Sequence, residues 1–165
     1  MPADPLAPLL GLPGVADGVD RARAAVDTLL RHRVLRRRSP DVSAESALRG
    51  AWASAGLAGR EVSLADVRSG AAAGDPVVQG ALRAQSAIGA LTGTWTRAPR
   101  QALARLHALA AADLVDADAL GRPAPCTAPR LDTLAAVLGA TAAPAVVVGA
   151  IVHGELLGPD AFAPV

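Results

Sequence analysis

Apolar residues return every three or four positions between Val15 and Val34, at Val15, Val19, Ala22, Val26, Leu29, Leu30 and Val34. That spacing is one face of an α-helix. It predicts a helix over 15–39 that Pro40 should end, because the residue before a proline is pushed out of the helical region. Pro2, Pro5, Pro8 and Pro13 precede it and predict a flexible, extended segment over residues 1–13, since each proline removes an amide donor. Further on, Ala44, Leu48, Ala51 and Ala55 predict a helix over 42–55, followed by a turn at Gly56 and Gly59. A short helix is expected within 61–67, with Ser63 as its N-cap and Asp66 three residues later. Asp75-Pro76, a cap followed by a first-turn proline, predicts a helix to about Leu91.

Pro99 predicts the next helix, over 100–112, and Gly121, Pro123, Pro125 and Pro129 mark 113–129 as a loop. Two last helices are expected over 130–139 and 144–157. No internal repeat is present, and no period-two alternation is long enough to require a sheet. The pattern therefore predicts an all-α fold, with residues 14–165 as a single compact helical domain of ordinary size.

Composition sharpens this picture in two ways. Hydrophobic residues make up 52% and charged residues 19% of the 165, which excludes a disordered chain. Trp52, Trp95 and Phe162 are the only aromatic residues, so the core has to be built from Ala, Leu and Val, which suits closely approaching helices. Charge is uneven: residues 1–40 hold seven arginines and four aspartates, the remainder nine arginines and eleven acids. All basic residues are arginine, a trait that fits GC-rich coding better than any function. Cys126 is the only cysteine, which excludes an intrachain disulfide or a thiolate metal cluster. The uncharged run 134–152 is interrupted by Gly139, Thr141, Pro144 and Gly149 and is not expected to cross a membrane. With no secretory signal, the expected setting is cytoplasmic.

Candidate chemistry is sparse. Arg31, Arg33, Arg36, Arg37 and Arg38 form the densest charge feature and are a possible anion-binding patch. No helix-turn-helix or zinc motif accompanies them, so nucleic acid is not the expected partner; a solvated helix end is the plainer reading. His107 has no ligating residue at helical spacing and reads as structural. His153 and Glu155, two residues apart on a helix, point in different directions and do not form HExxH. Neither a dinucleotide fingerprint nor a Walker loop occurs, and Cys126 has no histidine near it in sequence. No catalytic residue, metal or cofactor is expected.

Two stretches resemble the Fic/Doc (Fido) family of mostly helical proteins, many of which transfer AMP from ATP to a protein hydroxyl. In the first, Ser54 and Gly59 match the family's Ser/Thr-x-x-x-Glu-Gly/Asn inhibitory motif, with Ala58 where the glutamate belongs. In the second, Leu106-His107 is similar to the family's recurrent Leu-His helix, and Pro144 to Leu157, including His153, to the helix entering the catalytic loop. The resemblance covers about residues 44–162 and implies the N-terminal part of a Fido fold. In its register Asp160 falls on the catalytic histidine, Ala161 on the proline and Phe162 on the phenylalanine, and the glycines and arginine of the HPFx(D/E)GNGR loop do not follow. The resemblance thus implies a degenerate or truncated member that does not transfer AMP. Such a member would act through protein contacts or self-association, with the apolar 144–157 helix as the surface to be covered. A remnant of a longer AMP transferase and a nucleic-acid-binding module using Arg31 to Arg38 are the alternatives. Nothing in the residues supports an oxidoreductase.

Overall fold

Each stretch with helical apolar spacing folds as helix. The computed structural model describes residues 3–158 and 161–162, apart from the side chain of Arg36. Among them are eight helical elements: α1 (Ala7–Leu10), α2 (Val15–Leu30), α3 (Arg33–Leu57), α4 (Leu64–Ser69), α5 (Pro76–Arg97), α6 (Pro99–Ala111), α7 (Ala128–Ala140) and α8 (Ala145–Leu157). No strand occurs among the described residues; β pairing is limited to an isolated antiparallel bridge between Pro123 and Phe162. The fold is all-α.

Local chemistry sets most boundaries. Ser63 accepts a hydrogen bond from the Asp66 amide at 3.0 Å and donates to the Asp66 carboxylate at 2.7 Å, closing the start of α4. Asp75 accepts from the amides of Val77 and Val78 at 2.9 and 3.2 Å, and Pro76 fills the first position of α5. That helix runs past the predicted Leu91 to Arg97, because Gly93 is tolerated and the next stop is Pro99. Ala98, the residue before it, leaves the helical region at φ −150°, ψ 72°. α7 starts two residues earlier than predicted, with Pro129 in its first turn.

Three expectations are corrected. Residues 7–10 are not extended: Pro8 lies in the first turn of α1, where its missing amide costs nothing. The helix from Val15 does not reach Ser39 but ends at Leu30, and the His32 imidazole accepts the Val34 amide at 3.3 Å to start α3. Pro40 does not terminate a helix either. The break falls two residues earlier, at Arg38 (φ −133°, ψ 33°), and Pro40 lies inside α3 just beyond it. There it occupies the first turn of the helical segment that follows, the one place a proline fits.

The described residues form two compact units, one of residues 3–39 with 126–158 and 161, the other of 40–125 with Phe162. In the second, Ala55, Val67 and Val78 are buried together, with Leu48, Val62, Ala72, Val77 and Leu82 against them. α5 and α6 pack as a closely apposed pair. A Cβ at Gly80 would collide with the Ala110 carbonyl oxygen, so the two backbones are nearly in contact there. Arg83 seals the end of α6, its Nε donating to the Leu109 carbonyl at 2.9 Å and its guanidinium meeting Asp113 at 2.7 Å. The Trp52 indole donates to the Val62 carbonyl at 2.9 Å.

In the first unit Leu6, Val19, Leu131, Leu134 and Val147 are buried, and α8 packs against both α7 and α2. Asp4 accepts from the Thr141 hydroxyl and the Ala142 amide, each at 2.7 Å, tying the start of the chain to the α7–α8 connection. Those hydrogen bonds, Thr141 first, hold its carboxyl below the usual aspartate range. Thr127 precedes α7 without capping it, because its buried hydroxyl donates to the Ala161 carbonyl at 3.1 Å.

Candidate functional site

The apolar face of α2 is only half covered. Val19 is buried and Val15, Gly18 and Ala22 are half-buried, but every residue from Arg23 to Leu30 is exposed. Val26, Leu29 and Leu30, which continue the same face at helical spacing, keep 53%, 59% and 63% of their surface in water. The second half of the stripe is therefore not part of the core. α8 shows the complementary feature. From Ala145 to Val152 it carries no polar side chain, yet Val147 is its only fully buried residue, and Val146 is 50% exposed.

Where the two helices meet, Val19, Ala22, Val26, Pro144, Ala145 and Val146 line a groove of about 250 Å³ with Arg23 and Asp27 on its rim. Arg31 pairs with Asp27 at 3.6 Å across one helical turn. Arg33, Arg37 and Arg38 follow at the start of α3, all exposed; Arg36 lies in the same turn, its side chain outside the described residues. Residues 21–38 together hold seven arginines and one aspartate. The candidate anion-binding arginines follow the uncovered apolar stripe in sequence, across the break between α2 and α3.

The positions that carry the family resemblance have other partners. Ser54, Ala58 and Gly59 are exposed at the end of α3. Gly59 adopts φ +80°, its amide bonds the Gly56 carbonyl at 3.0 Å, and the Arg60 amide bonds the Ala55 carbonyl at 2.9 Å. This is a Schellman helix terminus, in which glycine supplies the left-handed residue. His107 is buried and its Nδ1 accepts the Gly121 amide at 2.9 Å, the structural role that its surroundings in sequence predict. Phe162 stacks on that imidazole, ring centroids 4.9 Å apart and planes 22° apart. His153 is exposed on α8. Glu155, half-buried, accepts both arms of the Arg130 guanidinium at 2.9 Å. Asp160 lies outside the described residues. Cys126 is exposed.

Among the described residues no group of three or more His, Cys, Asp or Glu side chains is placed to hold a metal ion. No helix among them is long and apolar enough to cross a membrane. No family model, curated protein or solved structure matches the chain, and its functional reading therefore rests on its own residues and geometry.

Proposed function

We propose that this protein acts by binding another polypeptide through the face formed by α2 and α8, and that it does not itself transfer AMP. The observation that carries the reading is the uncovered half of the α2 stripe: Val26, Leu29 and Leu30 stand in water, and Val26 lines a groove completed by the apolar start of α8. Scattered exposed apolar residues are ordinary, but a contiguous apolar patch beside a groove marks an interaction surface. A kinship with Fic-like proteins, if drawn on Ser54, Gly59, His107 and the 144–157 helix, belongs to the same proposal, as that of a divergent member working by contact. The 250 Å³ groove is below the roughly 300–1,000 Å³ typical of small-molecule pockets, which favours a partner's side chain over a free substrate.

The test has two parts. Incubation of the protein with labelled ATP, magnesium and candidate target proteins is expected to give no label transfer. An apolar fluorescent dye is expected to brighten on the native protein and to lose that signal in a Val26→Asp/Leu30→Asp variant whose helical circular dichroism is unchanged. Metal-dependent label transfer, or a dye that ignores the native surface, would overturn the reading.

A further inference from the structure

We infer that the groove between α2 and α8 takes an acidic amphipathic helix of a partner polypeptide. This rests on the binding reading above and names its partner. The shape argues for a helix: the floor and uncovered walls come from two helices, and Ala22, Val26, Leu29 and Leu30 present anchors at the three- and four-residue spacing with which helices dock in grooves. A concave site of one or two side chains' volume accepts a protruding leucine or isoleucine; a flat lipid surface would not fill it. The charge argues for acidity. Asp27 on the groove rim is already paired with Arg31, Arg23 stands on the same rim, and Arg33 and Arg37, which follow α2 in sequence, are exposed. A basic partner would be repelled by this excess of arginines; carboxylates flanking an apolar stripe complement both features at once. Nucleic acid would meet the arginines but gain nothing from exposed Val26, Leu29 and Leu30.

A library of helical peptides randomised on one face, displayed on phage and selected against the full chain, tests this. The expected winners carry aliphatic residues at i, i+3, i+4 and i+7 with a clear excess of Asp and Glu. Their binding should weaken about ten-fold between low salt and about 0.3 M salt, and by a similar factor in Arg23→Gln/Arg33→Gln/Arg37→Gln. It should be lost in Val26→Asp/Val146→Asp. Circular dichroism verifies that both variants fold. Winners that are neutral or basic, salt-insensitive, yet abolished by Val26→Asp/Val146→Asp would overturn the acidic partner and leave the binding reading standing. A concentration-dependent dimer of the chain itself that the same double variant abolishes would also overturn it, in favour of a second copy. Arginine-dependent binding to vesicles containing phosphatidylserine, with no peptide enriched, would assign the surface to lipid and overturn both, as would winners indifferent to Val26 and Val146.

Discussion

A methyl group added at Gly80 would meet the Ala110 carbonyl, a backbone atom that cannot rotate away. Gly80→Ala is therefore expected to destabilise the protein by about 2–3 kcal/mol or to prevent folding, as overpacking a tight helix contact does. Gly50 offers the contrast. Its added methyl would meet only the end of the Gln85 side chain, at 2.9 Å from the amide nitrogen, and that end can swing aside. Gly50→Ala should leave stability unchanged or raise it by up to about 1 kcal/mol, the helix preference of alanine over glycine. Urea unfolding of the two variants measures both. Asp75 makes a second residue-scale prediction. Burial works against its charge, but the Val78 amide, the Arg60 guanidinium at 2.9 Å and the Val77 amide outweigh this and lower its pKa. A carboxyl lowered in the native state contributes stability above its unfolded value, near 3.9, and loses that contribution as pH falls through the native value. The melting temperature of the native protein should thus fall between about pH 5 and pH 3 more steeply than that of Asp75→Asn, which has no charge to lose.

Elements show where sequence patterns suffice and where they stop. The capped starts at Ser63 and Asp75 and the helix start at Pro99 were readable because each depends on residues within a few positions of one another. The end of α2 was not, because its three- and four-residue rhythm runs on through Val34 without interruption. Past the break the His32 imidazole accepts the Val34 amide at the start of α3, a role histidine rarely signals by type alone. Periodicity also gives the apolar face of α2 but not what covers it, and Val26, Leu29 and Leu30 stand in water. The distinction has an energetic consequence. Leu29→Gln and Leu30→Gln should change unfolding free energy by no more than about 0.5 kcal/mol, as surface substitutions do. Leu134→Ala, at a side chain with 5% exposure on α7, should cost about 2–5 kcal/mol.

At the scale of the molecule, the all-α class follows from composition and rhythm together: little aromatic or β-branched alternation, and alanines small enough for helices to approach closely, as Ala51, Ala55, Ala102 and Ala111 do in the interior. The candidate surface was legible only in halves. The arginine run and the apolar 144–157 helix each stood out in the sequence. The meeting of α2 with α8 did not, since Val26 and Val146 lie far apart in the chain and no local pattern links them. Gly59, one of the positions of the likeness, supplies the left-handed residue that ends α3. The central claim is that the exposed stripe of α2 and its α8 wall form a docking surface. Methyl NMR of the chain, titrated with an acid-rich amphipathic peptide taken from the selection, addresses it most directly. Shifts confined to the methyls of Val26, Leu29, Leu30 and Val146, with those of Val67 and Val78 unmoved, are the predicted result; shifts centred on Val67 and Val78, or an unchanged spectrum at saturating peptide, would contradict it.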